Sequence, residues 1–254
     1  MTEAEQSCAL DALCSAAQLM LENGAETYRV EETARRMATG FRLTGVSVAA
    51  LPTLIFVEAE GRTRILRISR RGTNMTRIER TNDISRRVEH GGMTAQEAGR
   101  ALEQVARAPG APQRTLLLAS AVTSASFSLL FGGGPGTFAV AFLIGLAVQA
   151  VQPLFARIEM GVLFGNFAGG FITAVLAQLL AALFAYGDVN AAIVGGIMPL
   201  LSGLLMTTAM RDTMYGDLIS GVTRAVEALL LAVAVALGVY VGLTAVSMMG
   251  GVLL

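Results

Sequence analysis

Five charged side chains stand beside a long apolar run in residues 210–238, MRDTMYGDLISGVTRAVEALLLAVAVALG. They are Arg211, Asp212, Asp217, Arg224 and Glu227. A guanidinium can bind a carboxylate through two parallel hydrogen bonds, which suits an internal ion pair and also a carboxylate-bearing substrate. The same charges could instead mark a membrane boundary, or join helices through salt bridges. Which of these roles the charged residues can take depends on the secondary structure that positions them.

A helix would place several of these groups on one side. At about 100° per residue, Asp217, Ser220, Arg224 and Glu227 fall within one narrow arc. The sequence therefore predicts a helix that begins at the cytoplasmic surface and carries a charged stripe into the membrane. On that helix Arg224 can pair with Ser220, Glu227 or Asp217, or it can receive the carboxylate of a substrate.

Composition divides the chain near Arg114. The mean hydropathy is +0.60 and 15% of the residues are charged, whereas a soluble domain typically has about 25% charged residues. Residues 1–114 hold 16 Arg and 14 Asp or Glu, but residues 115–254 hold three Arg and five acids. We therefore expect a cytoplasmic α+β domain at 1–112 and a transmembrane domain at 113–254.

Five segments are apolar enough to predict membrane-spanning helices. A span needs roughly 20 apolar residues, because the hydrocarbon core is about 30 Å thick. The predicted spans are residues 115–131, 137–156, 161–186, 189–210 and 222–249. The first is short and carries several hydroxyl groups. The expected fold is an α-helical membrane protein in which five transmembrane helices follow a small α+β cytoplasmic domain.

The positions of arginine predict the orientation, since cytoplasmic flanks are enriched in basic residues. With five spans, the basic stretch 62–114 and the loops at 157–160 and 211–224 all fall on one side, while the opposite loops hold only Asp188 as a charged residue. We expect a multi-pass protein whose amino terminus is cytoplasmic and whose carboxyl terminus lies outside. The acidic start MTEAEQSCALDAL predicts no targeting peptide.

The soluble part predicts helices around a β-hairpin. TEAE and TAQE are capping-box patterns, which satisfy free amides at a helix start. Apolar spacing predicts a first helix that stops at Asn23 and Gly24, a second over AETYRVEETARRMATGF, and two more at about 76–89 and 95–107. LIFVEAEGRTRILRI predicts a hairpin that turns at Glu60–Gly61.

The predicted spans contain polar and small residues that a plain anchor does not need. The amides of Gln149 and Asn166 are costly in lipid unless they are paired or hydrated, so we expect them to face the bundle interior or a water-filled path. Gly161, Gly165 and Gly169 repeat a small-xxx-small pattern that lets another helix approach closely. We interpret these glycines as sites of helix packing, and the amides as part of a transport path.

The sequence contains no motif typical of a catalytic site. It lacks a Walker sequence, a nucleophile elbow and a pair of cysteines with redox or metal spacing. Cys8 and Cys14 are interpreted as small core residues, and His90 as a helix-terminal residue. We expect no enzyme activity, no cofactor and no metal. The excess of two arginines in the first part is too small to predict nucleic-acid binding.

Four motifs, taken in order, resemble the threonine/serine exporter family. They are GAETYRVEETARRMATGF, LPTLIFV, RGTNMTRIERTNDI and GIMPLLSGLLMTTAMRDTMYGDLISGVTRAVEALLLA. The resemblance extends over nearly the whole chain and is to the amino-terminal half of those exporters, which also occurs as a separate polypeptide. Where many relatives have Pro-Gly, this sequence has PLLSG, so Pro199 and Gly203 carry over without a tight break at Ser202.

The resemblance implies a bacterial inner-membrane exporter of small amino acids or carboxylates, such as threonine, serine or succinate, driven by the proton gradient. It also implies an oligomer in which a second membrane subunit supplies the carboxyl-terminal half. The family motif maps onto Arg211, Asp212, Gly216, Asp217, Ser220, Gly221, Arg224 and Glu227. From this mapping we expect Arg224 to attract the substrate carboxylate, with Asp217 or Glu227 as the proton-coupled partner. Pro199 would interrupt the fourth helix and leave carbonyls free to bind or hinge.

Two other functions stay open on the sequence. A membrane-anchored cytoplasmic binding or sensing module would bind its ligand through residues 1–112 alone. A membrane scaffold would need no ligand, because the glycine pattern is sufficient for helix packing.

Overall fold

The computed structural model describes residues 2–69, 71–157, 161–184 and 188–252. Within these residues the chain forms ten α-helices, one 3₁₀ turn and one antiparallel sheet. The helices are α1 (Glu3–Glu22), α2 (Thr27–Gly40), α3 (Met75–Glu89), α4 (Ala95–Arg107), α5 (Gln113–Leu130), α6 (Pro135–Arg157), α7 (Gly161–Phe184), α8 (Val189–Ile197), α9 (Gly203–Met214) and α10 (Leu218–Val252). The strands are β1 (Ser47–Leu51), β2 (Leu54–Ala59) and β3 (Arg62–Arg67).

These elements form two compact units, each built from two segments of the chain. The first unit contains residues 1–110 and 204–225, and the second contains residues 111–203 and 226–254. The sequence predicts a single division near residue 112. The return of 204–225 to the first unit was not predicted, and it brings most of the charged stretch together with the amino-terminal segment.

Both predicted capping boxes are confirmed. The hydroxyl of Thr2 accepts from the backbone N–H of Glu5, whose carboxylate accepts from the backbone N–H of Thr2. Thr94 and Glu97 repeat this exchange at the start of α4. α1 ends at the predicted position, where Gly24 has a φ of +92°, a conformation that glycine adopts without strain.

The predicted hairpin is confirmed, and the sheet has one strand more. β2 and β3 are joined by Glu60 and Gly61, which both have positive φ values, 54° and 70°. Such a pair suits a two-residue turn between twisted strands. β1 pairs antiparallel with β2, with Val48 opposite Val57. β1 was not predicted, because SVAAL is short and contains two alanines, which have low strand propensity.

The sheet and helices α1–α4 enclose the core of the first unit. Leu13, Met37 and Val57 are fully buried in it. Burial of such a side chain contributes about 1.5–3 kcal/mol relative to leaving it exposed. The interpretation of Cys14 as a core residue is confirmed, whereas Cys8 is half-buried and lies at the edge.

Serine side chains on α5 face the neighbouring helices. Ser120, Ser124 and Ser128 are all buried, and the Ser120 hydroxyl donates to the carbonyl of Gly145 on α6 at 3.0 Å. A Cβ atom on Gly145 would lie 2.6 Å from Oγ of Ser124, and one on Gly195 would lie 2.4 Å from the Ser124 carbonyl oxygen. The hydroxyl groups noted in the first predicted span therefore lie where helices approach closely.

Glycines also bring α7 and α10 into contact. A Cβ atom on Gly170 would lie 2.3 Å from the carbonyl oxygen of Val235, and one on Gly238 would lie 2.0 Å from that of Phe167. Side chains at these positions would collide with backbone, so both require glycine. Gly242 is similarly close to Phe171. Gly238 and Gly242 thus lie at a crossing of α7 and α10.

Three of the described helices are long and apolar enough to cross a membrane. They contain residues Pro135–Phe155, Gly161–Leu183 and Leu218–Met248. α8 and α9 qualify together as a fourth span, in which the two helices differ in direction by 56°. α5 is helical as predicted, but it is not among these candidates, so the count of five remains a prediction.

The fourth predicted span, 189–210, is two helices rather than one. α8 ends at Ile197, Met198–Leu200 form the 3₁₀ turn, and α9 starts at Gly203. Pro199 lies inside this turn. Proline has no N–H to donate and clashes with the preceding helical turn, which is the physical reason for the break.

The predicted loop at 211–224 is mostly helical. Arg211 and Asp212 belong to α9, and Arg224 belongs to α10. The turn between these helices contains Gly216, whose φ is +93°, and the Asp217 N–H donates to the Asp212 carbonyl at 2.8 Å. α10 starts at Leu218, so the predicted helix through Ser220, Arg224 and Glu227 is confirmed, whereas Asp217 lies in the turn before it. The other loop positions 158–160 and 185–187 lie outside the described residues.

Candidate functional site

Asp212 is the most deeply buried of the charged residues in the stretch 210–238. Its side chain has no exposed surface. Its Oδ1 atom accepts two hydrogen bonds from Thr27, one from the backbone N–H and one from the hydroxyl, each at 3.0 Å. Both residues belong to the first unit, so a carboxylate from α9 meets the first residue of α2.

Asp212 caps a helix that has no side-chain cap of its own. The N-cap residue of α2, Glu26, makes no capping hydrogen bond with its side chain. The first N–H groups of a helix lack partners within the helix and carry a partial positive charge. A carboxylate at this position satisfies one of these groups and interacts favourably with the helix dipole. Asp212 therefore provides the cap that the local sequence of α2 does not.

Arg224 completes the pair. Its Nε atom lies 3.1 Å from Oδ2 of Asp212, and its Nη2 atom donates to the carbonyl of Ala25 at 2.8 Å. The residue is only 4% exposed. The expected partners of Arg224 were Ser220, Glu227 or Asp217, so the pairing with Asp212 was not predicted. The guanidinium is held by α9 and by the turn that precedes α2.

The turn between α9 and α10 explains this pairing. A Cβ atom on Gly221 would lie 2.0 Å from Oγ1 of Thr213 and 2.9 Å from the carbonyl oxygen of Ala209. Only glycine allows the two helices to approach so closely. The approach places Arg224 beside Asp212, whereas the expected partners were chosen from a single helical stripe. The angular positions of residues around one helix do not show which residues of a neighbouring helix they contact.

The hydroxyl of Thr27 lies between two carboxyl groups. Its Oγ1 atom is 3.0 Å from Oδ1 of Asp212 and 2.8 Å from Oδ2 of Asp217. Asp217 is half-buried, in contrast to Asp212. We call Thr27, Asp212, Asp217 and Arg224 the ionic cluster. It joins one side chain of α2 to three side chains from α9, α10 and the turn between them.

A rim of charged and aromatic groups borders the ionic cluster. Glu26 accepts from Arg211 at 2.8 Å and lies 3.6 Å from Arg29. The rings of Tyr28 and Tyr215 stack with centroids 4.0 Å apart and an angle of 17° between their planes. Burial, followed by the nearby Glu26 charge, raises the pKa of the Tyr28 hydroxyl above its usual value. The Glu26–Arg211 pair and the stacked tyrosines thus link the start of α2 to the end of α9.

The predicted site residues are thus partly brought together. Arg211, Asp212, Asp217 and Arg224 lie in or around the ionic cluster, and Ser220 is buried on α10 in the same unit. Glu227 is half-buried on the part of α10 that belongs to the second unit. Sequence reasoning missed the role of Thr27, although the GAETYRVEE motif that contains it was singled out. No local pattern indicates that a threonine at the start of α2 meets residues 185 and 190 positions later.

Polar predicted residues of the second unit are placed separately. Asn166 is buried, whereas Gln149 and Pro199 are half-buried. The side chain of Gln152 lies near Gly165 and Gly169, since Cβ atoms built there would be 3.4 and 3.5 Å from its amide atoms. These contacts put one amide of α6 against the glycine face of α7.

The three glycines predicted to pack helices differ from one another. A Cβ atom on Gly169 would lie 2.8 Å from Cδ1 of Leu200, so this position needs a small residue. Gly165 meets α6 at ordinary contact distance. Gly161 has no described atom within 4 Å of such a Cβ, and its φ of +74° is the feature that suits glycine. Gly170, which was not predicted, makes a closer approach than any of them, and its position beside Gly169 is the signal that could have found it.

The described residues contain no group of three or more His, Cys, Asp or Glu side chains that could hold a metal ion. His90 caps the end of α3, where its Nδ1 atom lies 2.7 Å from the Arg86 carbonyl oxygen. This position agrees with its interpretation as a helix-terminal residue.

Comparison with known proteins identifies the family. A family model described as threonine/serine exporter, ThrE, matches residues 11–246. The chain belongs to the threonine/serine exporter family. The matched range includes the ionic cluster and the broken helix at Pro199. Together with the apolar helices, it makes this ThrE family member a multi-pass membrane protein.

Two relatives differ in length from each other. A "Probable threonine/serine exporter" of Mycobacterium tuberculosis is 29% identical over 248 residues, which cover 95% of this chain and 47% of the relative. A "Probable succinate transporter subunit YjjP" of Klebsiella aerogenes is 24% identical over 242 residues, which cover 93% of each chain. The ThrE family member thus spans about half the length of the first relative and nearly all of the second. No solved structure matches it.

Proposed function

We propose that this protein is a subunit of a bacterial inner-membrane exporter of small amino acids or carboxylates, such as threonine and serine or succinate, driven by the proton motive force. A second membrane subunit would supply the rest of the transport path. Membership of the ThrE family supports export, and the relative named as a transporter subunit supports a partner. We also propose that the described α5 is a fifth span, and that residues 1–112 lie in the cytoplasm while the carboxyl terminus lies outside.

The observation that carries the proposal is the buried pair of Asp212 and Arg224. A guanidinium that is 4% exposed and already holds a carboxylate is chemically suited to exchange that carboxylate for the one on an amino acid or dicarboxylate. Removing one partner from a buried pair is costly, so the exchange requires the substrate to arrive as Asp212 is released. Arg224 would then bind substrate only in a state that differs from the one described.

The other predicted residues take supporting roles in this proposal. Asp217 or Glu227 would carry the coupled proton, because a carboxyl group can bind and release one. Pro199 would act as a hinge, since the break between α8 and α9 leaves backbone groups outside regular helix. Gln149 and Asn166 would border the polar path through the second unit.

Transport in lipid vesicles tests the proposal. Vesicles that contain this chain and a candidate second membrane subunit would be loaded with labelled threonine, serine or succinate. Efflux would be followed with and without an imposed pH gradient. We expect efflux of at least one cargo, and its collapse when a protonophore removes the gradient. Efflux that is independent of the gradient would refute proton coupling. If none of the three compounds leaves the vesicles, the proposed cargo class is refuted.

Two variants separate binding from folding in this assay. Arg224→Gln should abolish efflux, but it also leaves Asp212 unpaired, so the double variant Asp212→Asn/Arg224→Gln restores neutrality in the core. A double variant that reaches wild-type abundance and does not transport supports carboxylate binding by Arg224. Arg107→Gln is the matched control, because Arg107 forms an exposed ion pair with Glu103. Normal efflux by the double variant would remove Arg224 from the mechanism.

A further inference from the structure

We infer that the ionic cluster binds one exchangeable proton, which Asp212 and Asp217 share across the hydroxyl of Thr27. The inference deepens the proposed function, on which its role in coupling rests, by naming the place where the proton is held. It follows from the number of hydrogen atoms that the three oxygen atoms need. Thr27 itself was not among the residues expected to take part in coupling.

The hydrogen-bond count favours this proton. A threonine hydroxyl has one hydrogen to donate, and an ionised carboxylate can only accept. The distances from Oγ1 of Thr27 to Asp212 and to Asp217 are 3.0 and 2.8 Å, both within the range of O–H···O hydrogen bonds. With both carboxylates ionised, one hydrogen must serve both contacts, so at most one of them can be a full-strength hydrogen bond. One additional proton makes both contacts favourable.

Access to solvent distinguishes the two carboxyl groups. Asp212 has no exposed surface and also accepts from the Thr27 N–H, whereas Asp217 is half-buried in the turn before α10. A proton would therefore enter at Asp217. The Thr27 hydroxyl can rotate about its C–O bond. It can then accept a hydrogen bond from protonated Asp217 and donate one to Asp212.

The charged groups around the ionic cluster determine how an added proton affects the Asp212–Arg224 ion pair. Arg224 on α10 pairs with Asp212, and from α2 and α9 the rim contributes Glu26, Arg29 and Arg211. The phenol groups of Tyr28 and Tyr215 stack beside them. Glu227 follows Arg224 by three residues on α10. A proton added to the two aspartates removes one negative charge beside Arg224, which weakens the hold of Asp212 on the guanidinium.

Weaker pairing inside the cluster would favour a carboxylate from outside. Since the Asp212–Arg224 pair is buried, its attraction is little screened by salt. A proton at Thr27 thus provides a physical link between the proton gradient and the exchange of carboxylates on Arg224. The same group of atoms also caps α2, so a change of protonation reaches the start of that helix.

Infrared difference spectroscopy tests the proton without any cargo. The purified full-length chain in lipid vesicles is titrated from neutral to acidic pH, and the carboxylic-acid C=O band is compared with that of Thr27→Val, Thr27→Ser and Asp217→Asn. Thr27→Ser keeps a hydroxyl and should retain the wild-type band and its midpoint. Thr27→Val keeps the backbone N–H to Asp212 but removes the hydroxyl, so the band should change frequency and titrate at a different pH.

Asp217→Asn should lose one carboxylic-acid band. It keeps the cap that Asp212 places on α2, so it provides a result if Thr27→Val does not fold. A Thr27→Val spectrum identical to that of wild type would overturn the inference. An Asp217→Asn spectrum that retains every wild-type carboxylic-acid band would also overturn it. Because the readout needs no transport, vesicles that move none of the tested cargoes would refute the exporter proposal while these bands still decide on the proton site.

Discussion

The Nε atom of Arg224 lies 3.1 Å from Oδ2 of Asp212, and the two side chains are 5% and 0% exposed. Each residue therefore depends on the other to offset the cost of burying a charge. This pair also connects two helices, α9 and α10, to the turn before α2 through the Ala25 carbonyl and Thr27.

The single variants Asp212→Asn and Arg224→Gln should each lower the free energy of unfolding by about 3–5 kcal/mol, because each removes one charge of a buried ion pair and leaves the opposite charge buried. The double variant should lose less than the sum of the two single losses, since neither charge remains. Thermal unfolding of the purified protein in detergent measures this. The exposed Glu103–Arg107 pair is the control, and its removal should cost no more than about 1 kcal/mol. Additive losses would contradict the pairing.

Gly170→Ala and Gly238→Ala should each destabilise the second unit. Their new Cβ atoms would lie 2.3 and 2.0 Å from backbone carbonyl oxygens, which cannot move without shifting a helix. Such overpacking typically costs about 1–3 kcal/mol. Thermal unfolding in detergent is the measurement. Gly99→Ala on α4 is the matched control, because nothing lies within 4 Å of its Cβ position, and it should stabilise by about 0.5–1 kcal/mol. Unchanged stability of both α7 and α10 variants would disprove the close helix crossing.

Pro199→Ala should slow efflux while leaving the amount of protein in the membrane unchanged. Alanine restores an N–H and removes the clash that interrupts the helix at the 3₁₀ turn, so the segment between α8 and α9 becomes straighter. Efflux from loaded cells and membrane abundance are measured together. Pro109→Ala, in the exposed connection before α5, is the control and should transport normally. Wild-type efflux by Pro199→Ala would exclude a hinge at this position.

The thiol of Cys14 should react with maleimide far more slowly than that of Cys8. Cys14 is 7% exposed, and burial raises the pKa of its thiol to about 11. Near neutral pH this lowers the reactive thiolate fraction by roughly two orders of magnitude relative to a thiol with an ordinary pKa of about 8.5. Labelling rates of Cys8→Ser and Cys14→Ser, which each retain one thiol, measure the difference in the native protein.

The pH dependence of this labelling has a definite sign. Because folding raises the pKa of Cys14, the neutral thiol is favoured in the folded state. Its contribution to stability is complete below about pH 8.5 and is lost as pH rises towards about 11. The labelling rate of Cys14 should therefore keep rising through this interval. Equal labelling of both thiols in the folded protein would contradict the burial of Cys14, and denaturant should remove the difference.

Local features of the fold could be predicted from the sequence because their causes are local. The capping boxes, the stop of α1 and the turn at Glu60–Gly61 each depend on residues within a few positions. β1 was missed because a five-residue strand is stabilised by its partner β2 rather than by its own composition. The interruption at Pro199 was expected, since a proline in a helix interior removes one backbone hydrogen bond and kinks or breaks the helix.

The candidate site could be predicted only in part. Charge and helical spacing identified Asp212, Asp217 and Arg224, but they did not predict that Arg224 pairs with Asp212. This pairing depends on the approach of α9 and α10 at Gly221, which a single helical stripe does not encode. The contact with Thr27 joins residues that are 185 positions apart, and no periodicity in the chain carries that information.

The cap that Asp212 places on α2 has a consequence for biosynthesis. At ~5–20 residues per second, ribosomes need roughly 10 to 40 s to extend the chain from Thr27 to Asp212 across the 185 intervening positions. Throughout that interval the nascent amino-terminal segment exposes an unsatisfied helix start. A fragment ending at Gly110 would stay in this immature condition permanently, so ligand-binding studies on such a fragment would sample a frayed α1–α2 junction instead of the mature one.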